Sequence, residues 1–513
     1  MYNSLLDVDV HRLSKTTSVL EAHLYISQHP NIGWLLLIDD HSNECVGCLS
    51  QKNLSTVFSY GFREEQIVMF SDHPPLSHRS CHVSHLIYDQ KQNLVERKDI
   101  TIDAGCPKIE LSFGEDVLFL DWCLKIGIEA QKVGVSIFLV GGAVRDMILG
   151  NRAEDLDFLF FGNLENFGQQ LLQTYGGEIH VEHKFGALHW TTTEGLTFDF
   201  THARGETYPQ IGSLPIVHPS NLFDDLCRRD FATNAMAISI TPPFFGSLLD
   251  PFDGRGDLQK QTMRVLHGLS FVQDPTRIFR MARYCGRYQY NPDQHSRFLA
   301  ETAGILGVHS HLSWERIGTE ITKIFSEDHP SRIWNHLVEW KIIEQIFPSL
   351  SEEFLLHLET WEKKTTKNIP DIWILFAYHL AKHHRETCSK MVSMHKGLSQ
   401  DFCTIPSEIE DLRQKIPHLQ SKIEAGWLFS KRKTWSFELL LFLDDSLLQN
   451  PLVHWWHSIG KTMSSHIQAK DLIACGFSKG PTLGKALRRS LELTWMEHDP
   501  KEILQTLQQE FLP

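Results

Sequence analysis

Apolar and polar positions in the first 70 residues follow short alternating runs that predict a small module of helices and strands. Residues 34–38 form an apolar run that predicts a strand, and the polar run after it is typical of a turn. A second apolar run predicts a second strand, and the two flanking stretches have helical spacing. The predicted elements are a helix over residues 18–27, strands over 34–38 and 45–49, and a helix over 51–60.

Beyond residue 70 the pattern changes twice. Residues 71–115 are rich in Pro, Ser and His with weak periodicity, and we interpret them as a linker. Residues 116–263 alternate strand-like and helix-like stretches, which is typical of an α/β or α+β domain. After residue 265, apolar residues such as Phe354, Leu358 and Trp361 recur at helical spacing, so the second half is predicted to be all-helical.

The order of the N-terminal elements, with GCLSQKNL after the turn, resembles one repeat of a CBS domain. CBS repeats normally work in pairs and can hold adenine nucleotides between them. Residues 70–110 contain no convincing second copy. The resemblance therefore implies that two chains pair through this module as a homodimer. A purely structural cap that binds no nucleotide is the alternative.

Composition narrows the class of protein. The chain has 513 residues, 42% hydrophobic and 22% charged, which supplies several cores and excludes a disordered or fibrous chain. No apolar run reaches the roughly 18 residues of a membrane span, and no secretory signal is recognisable, so a soluble cytoplasmic protein without membrane contact is expected. The net charge of −14 does not favour nucleic-acid binding overall, although local basic surfaces can still bind phosphate.

The 10 cysteines are scattered along the chain, which does not suggest a disulfide framework. Cys45 and Cys48 form one CxxC motif, but they lie in a predicted strand and a second pair at zinc spacing is missing. We therefore interpret them as two strand cysteines rather than a metal site.

The strongest chemical signal begins at residue 137, in IFLVGGAVRDMILGNRAEDLDFLFFG. Gly141 and Gly142 follow a strand-like run, where they allow close approach to a ligand and leave amide donors for phosphate, and Arg145 adds a cation. Asp155 and Asp157 occupy positions i and i+2 of a predicted strand, so their carboxylates converge on one face. Two adjacent carboxylates favour a hard cation, and we predict that Asp155 and Asp157 bind Mg²⁺.

GGAVRDMILG followed by EDLDF resembles the first motif of the class II tRNA nucleotidyltransferase and bacterial poly(A) polymerase family. The resemblance implies a polymerase-β-like nucleotidyltransferase head of α+β fold, followed by an all-helical neck, body and tail. It also implies that Asp199, in LTFDFTHARGETY, is a third catalytic acid beside Asp155 and Asp157. In that family the carboxylates hold two metal ions, the RNA 3′ hydroxyl attacks the α-phosphorus of a nucleotide, and pyrophosphate leaves.

DDLCRRDFATNAMAI resembles the segment that contacts the sugar and triphosphate in that family. Arg229, Asp230 and Asn234 are the predicted contacts, because Arg can bind phosphate and Asn a ribose hydroxyl. Arg228 has the alternative of simply pairing with Asp225. DPFDGRGDL, residues 250–258, resembles the connector between head and neck, where turn chemistry favours a structural role.

FVQDPTRIFRMARYCGRY resembles the base-reading motif of the family, usually Glu-Asp-x-x-Arg. Asp274 and Arg277 are retained, and Gln273 stands where the glutamate is usual, which leaves the details of base choice open. Arg280 shares a helix face with Arg277 and is predicted to contact the triphosphate or the RNA, as is Arg283. For Arg283 and Arg287, a solvated basic helix face is the alternative.

Residues 469–492 resemble the tRNA-gripping tail of the family and carry a local excess of positive charge, although a packing unit of two helices is the alternative. Residues 371–384 resemble the helical context of an HD phosphohydrolase but lack its adjacent His-Asp pair, so no phosphohydrolase activity is expected. The predicted organisation is a CBS-like module (1–70), linker (71–115), head (116–263), neck (264–330), body (331–455) and tail (456–513).

The leading functional hypothesis is a tRNA nucleotidyltransferase that uses ATP, with CTP as a further substrate if it builds the whole CCA end. The relatives joined to CBS modules often resemble the A-adding branch. The first alternative is a poly(A) polymerase. A second alternative, from a different class, is an inactive nucleotide-sensing CBS protein. The residues that argue against it are the intact Asp155, Asp157, Arg229, Asn234 and Arg277.

Overall fold

The computed structural model divides into two compact units, Met1–Ile346 and Phe347–Pro513. It is a mixed α+β structure, in which a head built on a sheet is followed by helices. Among the described residues, none of the helices combines the length and the apolar character needed to cross a membrane. The residues that the structure describes are 5–7, 9–72, 86–88, 94–97, 102, 106–109, 117–151, 156–182, 186–347, 350–364, 372–373, 375–376, 378–380, 405–432 and 434–512.

The N-terminal module has the four elements that the hydrophobic pattern predicts, and one further strand. Ser18 caps the first helix by accepting from the Glu21 amide, while the Glu21 side chain accepts from the Ser18 amide. The added strand, β2, pairs in parallel with β3. Its sequence, DVHRLS, mixes polar and apolar residues, so the hydrophobic pattern did not predict it. The elements are β2 (Asp9–Ser14), α1 (Val19–Gln28), β3 (Ile32–Ile38), β4 (Cys45–Ser50) and α2 (Gln51–Ser59).

Cys45 and Cys48 both lie in β4, which confirms their assignment as strand cysteines. Strand order in the module is β2-β3-β4, and Leu35, Leu37, Leu49 and Val57 are fully buried in its core. The CBS-like character of the module, and its pairing with a second chain, stay predictions.

Residues 71–115, interpreted from composition as a linker, contain regular structure in their described parts. A three-stranded sheet has the order β1-β6-β5 and joins β1 (Leu5–Asp7) to β5 (Leu86–Tyr88) and β6 (Leu94–Arg97). Strands of three or four residues are too short to produce a recognisable alternation in a segment rich in Pro, Ser and His.

The N-terminal module packs on the helical neck through its last residues. The buried Asp72 carboxylate accepts the Gly268 amide at 2.8 Å, and the ring of His295 bonds the Ser71 carbonyl oxygen at 2.9 Å. The backbone comes so close that a Cβ on Gly268 would lie 2.3 Å from the Ser71 oxygen. A glycine is therefore required at this contact.

Asp72 is expected to make this contact weaken as the pH rises from about 4 to about 7. Burial raises the pKa of Asp72 to about 7, although the hydrogen bond from the Gly268 amide lowers it. The second carboxylate oxygen of Asp72 has no partner among the described residues. Because the folded pKa exceeds the ordinary 3.8, the contribution to stability is full below about pH 4 and is lost as the pH rises through 7.

Urea unfolding of the full chain would measure the free energy of unfolding of the Met1–Ile346 unit at pH 5 and at pH 8.5. The decrease between these two pH values should be roughly 3 kcal/mol smaller in Asp72→Asn than in the natural chain. Burial also raises the pKa values of Asp250 and Asp257, to about 6 and about 7. Their contributions to the pH dependence are the same in both proteins and cancel when the two are compared. Parallel pH profiles for the two proteins would contradict the expectation.

The head is built on a seven-stranded sheet of order β15-β14-β7-β8-β11-β10-β9. Only β8 and β11 pair in parallel, and helices α3 and α5 pack beside the sheet. The head elements are α3 (Val117–Lys132), β7 (Ser136–Val140), α4 (Gly142–Ile148), β8 (Asp157–Phe161), α5 (Leu164–Tyr175), β9 (Glu178–Glu182), β10 (Ala187–Thr191), β11 (Thr197–His202), β12 (Arg204–Thr207), β13 (Ile216–Pro219), α6 (Leu222–Cys227), β14 (Ala237–Ser239), β15 (Leu248–Leu249) and α7 (Gly254–Gln259).

Helices follow the head, as the periodicity predicts. Among the helices of the first unit that follow the head, α9 is the longest and buries ten of its thirteen residues, so it is the central element of the neck. The remaining elements of the first unit are β16 (Thr262–Met263), α8 (Ser270–Gln273), α9 (Thr276–Tyr288), β17 (Asn291–Pro292), α10 (Gln294–Ile305), α11 (Trp314–Phe325), α12 (Pro330–Glu339) and α13 (Ile342–Ile346).

The second unit is helical throughout its described parts. Phe354, Leu358 and Trp361 lie on one face of its first helix and are buried, which confirms the predicted apolar stripe. Its helices are α14 (Ser351–Lys364), α15 (Ile405–Lys415), α16 (Lys422–Ser430), α17 (Thr434–Leu443), α18 (Pro451–Ser458), α19 (Ala469–Ala474), α20 (Pro481–Trp495) and α21 (Pro500–Phe511), and the described residues between 372 and 380 are also helical.

Candidate active site

Two carboxylates stand side by side on the central strands of the head sheet. Asp157 begins β8 and is the register partner of Asp199 on the parallel strand β11. Alternation along these strands buries Phe158, Phe198 and Phe200 on one face and turns both aspartates to the exposed face. Asp155, the other predicted ligand, lies outside the described residues, so its convergence with Asp157 stays a prediction.

Asp199 has a neighbour that the sequence did not reveal. Its Oδ1 lies 2.6 Å from Nδ1 of His189, which faces it across the antiparallel pair of β10 and β11. Because β10 and β11 are joined by a short turn, a histidine and an aspartate ten residues apart come directly opposite each other. The contact leaves the second carboxylate oxygen of Asp199 available on a side chain that is 53% exposed.

The Gly141 turn connects β7 to α4 and lies against Asp157. Gly141 has φ +76° and precedes the helix, a conformation that strains residues with a Cβ. A Cβ there would also lie 2.7 Å from Nη1 of Arg229 and 3.8 Å from a carboxylate oxygen of Asp157. The missing side chain therefore lets a guanidinium and a carboxylate approach the same turn.

A cavity of about 1110 Å³, here called the arginine cavity, opens between this turn and the neck. Eight arginines and six carboxylates line it, which makes its wall rich in paired charge with a cationic excess. The predicted site residues among its lining are Gly141, Gly142, Arg145, Asp157, Arg229, Asp230, Asn234, Asp274, Arg277 and Arg280. Asp199 is adjacent to Asp157 on the sheet but is not in the lining.

A chain of hydrogen bonds joins the head and the neck across the arginine cavity. Arg145 donates from Nη1 to Oδ1 of Asn234 at 2.7 Å, and Asn234 donates from Nδ2 to Oδ1 of Asp230 at 2.8 Å. Arg280 donates to the other oxygen of Asp230 from Nε and Nη2, at 2.8 and 2.5 Å. Motifs more than 80 residues apart are thus locked into one arrangement.

The charged groups in this chain of hydrogen bonds stabilise one another. Burial alone would raise the pKa of Asp230, but the charge of Arg280 and the bond from Asn234 outweigh it and hold the pKa below its usual value. The pKa of Arg280 is raised, chiefly by the charge of Asp230. Both groups are therefore ionised at every physiological pH, and the arrangement is independent of pH in that range.

Arg228 and Arg229 share one buried partner. Asp225, fully buried, accepts from Arg228 through Oδ2 and from Arg229 through Oδ1, both at 3.0 Å. Arg228 also donates to Glu206 at 2.9 Å, so it has the pairing role that the sequence offered as an alternative. Nε of Arg229 is buried without a hydrogen-bond partner among the described residues, although such donors are usually satisfied.

Asp274 and Arg277 lie at the start of α9 with partners of their own. Asp274 accepts from the Thr276 hydroxyl and from Nη2 of Arg316, both at 2.7 Å. Arg277 donates to the Ser270 hydroxyl and to the Arg228 carbonyl oxygen. Sequence reasoning missed Arg316, because it lies 42 residues away on α11 and belongs to no recognised motif.

Two tyrosines of α9 were also missed. The guanidinium carbon of Arg145 lies 5.3 Å from the ring centroid of Tyr284 and 5.1 Å from that of Tyr288, within cation–π range. Their spacing of four residues on a helix, in phase with Arg277 and Arg280, was the available signal.

The two outer arginines of α9 differ from each other. Arg283 is buried and pairs with Glu320, so a solvated basic face is wrong for it. Arg287 is 40% exposed and pairs with Glu327, which agrees with that alternative. Both lie at the rim of the arginine cavity, and neither presents an unpaired cation there.

Known proteins resemble the regions that build this site. A family model described as Poly A polymerase head domain matches residues 137–264, and one described as Probable RNA and SrmB-binding site of polymerase A matches residues 310–354. An A-adding tRNA nucleotidyltransferase of Halalkalibacterium halodurans is 36% identical over 241 residues, which are 46% of this chain and 56% of that protein.

A CC-adding tRNA nucleotidyltransferase of Deinococcus radiodurans is 34% identical over 203 residues, which are 39% of this chain and 53% of that protein. The chain thus spans about half the length of these two curated relatives. The fold is shared with the Thermotoga maritima CCA-adding enzyme complexed with tRNA, at TM-score 0.61 and 24% identity over 77% of this chain and 96% of that one. The head match, the A-adding and CC-adding relatives and the shared fold agree, and residues 137–264 of this chain are similar to the head of poly(A) polymerases and tRNA nucleotidyltransferases.

Proposed function

We propose that the protein is a tRNA nucleotidyltransferase that adds the terminal A to the 3′ end of tRNA without a nucleic-acid template. The observation that carries the proposal is the arginine cavity, which combines the Asp157 carboxylate with a wall of eight arginines. A nucleoside triphosphate brings several negative charges, which suit a cationic wall, and a phosphorus centre that needs a carboxylate-bound cation beside it.

The triphosphate would contact the side of the cavity next to the Gly141 turn. Arg229 offers there a buried Nε–H without a partner among the described residues, and a guanidinium forms strong charge-assisted bonds with phosphate oxygens. Arg145 and Arg280 are fixed by Asn234 and Asp230, so their charges are held in place before a nucleotide arrives. Such preorganised donors need little rearrangement during the reaction.

The carboxylates fit Mg²⁺ by their chemistry. Asp157 and Asp199 are hard oxygen donors on neighbouring strands, and Asp155 is two residues before Asp157. When bound there, Mg²⁺ would polarise the phosphate oxygens and lower the pKa of the RNA 3′ hydroxyl. The hydroxyl gives its proton to water, and its oxygen forms a bond to the α-phosphorus. The bond from that phosphorus to the bridging oxygen of the β-phosphate breaks, and pyrophosphate leaves carrying the negative charge that the arginines bind.

Base selection would lie at the start of α9. Asp274 supplies an acceptor and Arg277 a donor, and Arg316 holds the Asp274 carboxylate at 2.7 Å. Such a pair of side chains can complement the base edge of an incoming nucleotide in place of a template. The Arg316 contact gives the carboxylate one orientation, which would favour one base over another.

The A-adding reaction is favoured because relatives described as A-adding tRNA nucleotidyltransferases match at 34–37% identity. Synthesis of the whole CCA end is the second candidate, and the shared fold with CCA-adding enzymes favours it. A poly(A) polymerase is the third, on the description of the matched head model.

The candidates differ in product length. Purified protein with Mg²⁺ would receive tRNA that ends before CCA, tRNA that ends in CC, or an unrelated RNA, each with ATP or CTP alone and with both. The proposal expects one A on the CC end and nothing on the other two. A completed CCA would indicate the second candidate, and long A tails on every RNA the third. No incorporation on any RNA would contradict transferase function.

The tail is the proposed contact for the body of the tRNA. Arg488 lies 4.2 Å over the ring of Trp427, in a groove with Lys415, Lys431 and Arg432. A cation over a half-buried aromatic ring at the edge of a groove is suited to phosphate and base contacts. Arg489 is occupied by Glu492 and Glu510, so the local positive charge is smaller than the sequence count indicates.

Gly141→Ala should weaken ATP binding about tenfold, because the new methyl group displaces the Arg229 guanidinium and removes one charge-assisted bond. Calorimetric titration of ATP and Mg²⁺ into the full-length protein would measure the change. Gly134→Ala is the matched control, because Gly134 also has a positive φ, of +72°, but a Cβ there meets nothing within 4 Å. Both variants should lose about 1 kcal/mol of stability, and equal ATP affinities in the two would contradict the placement of the triphosphate.

A further inference from the structure

A cluster of metal-ligand side chains lies in the second unit, apart from the arginine cavity. Glu353 and His357 are one turn apart on α14 and therefore share a face of that helix. His379 comes from the helical residues 378–380 and completes the cluster. One ligand atom from each of the three side chains lies within 4.8 Å of the other two, and no other such group occurs among the described residues.

The two histidine rings face each other closely. Nδ1 of His357 lies 2.9 Å from Nε2 of His379, and the other ring nitrogen of His379 lies 3.8 Å from a carboxylate oxygen of Glu353. His379 is only 1% exposed. A single ion takes one nitrogen of His379, and Nε2 is the one that lies beside Nδ1 of His357.

The surroundings of the cluster are apolar and aromatic. The ring of His379 packs against Phe354 and Tyr378, and that of His357 packs against Phe442. Packing on both sides fixes the ring orientations, as required of imidazole ligands. Glu353 is exposed, so its carboxylate can rotate toward the two nitrogens.

We propose that Glu353, His357 and His379 form a zinc site that ties α14 to residues 378–380 within the helical body. Two imidazole nitrogens and a carboxylate oxygen are a known donor set for Zn²⁺, with water as the fourth ligand. At a Zn–N distance of about 2.0–2.1 Å, tetrahedral ligand atoms lie about 3.3 Å apart. The 2.9 Å between the histidine nitrogens is within a small side-chain rotation of that value. Mg²⁺ is disfavoured, because it prefers oxygen ligands.

The test measures zinc in the full-length protein without a polyhistidine tag. Protein stripped with EDTA would be titrated with ZnCl₂ and, separately, with CoCl₂, whose visible bands report tetrahedral coordination. One equivalent should bind to the natural chain, and Glu353→Gln and His357→Gln should each weaken binding at least about tenfold. Zinc should also raise the melting temperature of the natural chain and not that of the two variants, since a ligand bound only to the folded state stabilises it.

Matched controls separate this site from others. His498→Gln removes a histidine that contacts a glutamate four residues away, with no third ligand beside them among the described residues. This variant should bind zinc as the natural chain does. Asp157→Asn should also bind zinc normally, because its carboxylate belongs to the head. Retention of affinity in both Glu353→Gln and His357→Gln, or loss of the bound zinc only in Asp157→Asn, would overturn the proposal. Glu353→Gln changes an exposed side chain, so a folding failure does not obscure the result.

Discussion

Asp157→Asn is expected to lower the rate of nucleotide incorporation into tRNA by about 10³-fold or more. The amide keeps the size of the side chain but removes the charge that would hold a cation beside the reacting phosphate. Charge stabilisation by a bound cation contributes several kcal/mol to such a transition state, and about 4 kcal/mol corresponds to a thousandfold. Single-turnover incorporation of labelled ATP into tRNA that ends in CC would measure the effect.

A carboxylate far from the cavity provides the control. Asp121 pairs with Lys125 on α3 and is exposed, so Asp121→Asn should react at the natural rate. The affinity for tRNA should be unchanged in both variants, because the loss lies in the chemical step rather than in RNA binding. A rate for Asp157→Asn within tenfold of the natural chain would contradict the role proposed for the strand carboxylates.

Asp230→Ala is expected to destabilise the first unit by about 2–3 kcal/mol. The substitution leaves Arg280 without its carboxylate partner and Asn234 without its acceptor, inside a site where Asp230 is buried. Removal of one partner from a buried ion pair costs about 3–5 kcal/mol, and the lower value applies because Arg280 is 31% exposed and partly screened by water. Urea unfolding at neutral pH would measure the loss.

The same variant should also bind ATP more weakly, because Arg145 and Arg280 lose the chain of bonds that orients them. Glu301→Ala breaks the surface pair with Arg297 and serves as the control, with an expected loss below about 1 kcal/mol and no change in ATP affinity. If both substitutions had the same small effect, the bond chain between head and neck would have no energetic importance.

The sequence predicted the site well where the chemistry is carried by local motifs. Gly141 and Arg145 follow a strand, whereas Asn234 and Arg280 belong to two later motifs. All four residues line one cavity. Each motif lies on one short, continuous turn or helix. The spacing of its residues can therefore be recognised in the sequence. The resemblance of the motifs to a known family supplied their common location.

What the sequence missed depends on contacts between distant parts of the chain. Arg316 holds Asp274 from another helix, and His189 faces Asp199 only because two strands pair in that register. The docking of Asp72 on Gly268 joins positions 196 residues apart. The hydrophobic periodicity of a sequence does not predict such contacts, because they arise when helices and strands pack against one another.

Addition of a single A is tested most directly by identifying the nucleotides that are added to tRNA ending in CC when all four nucleoside triphosphates and Mg²⁺ are present. Mass spectrometry of the 3′-terminal fragment would read both the number and the base. One added A is expected from the natural chain, and no such product from Asp157→Asn. An unextended end, a run of many A residues, or an equal product from the variant would contradict it.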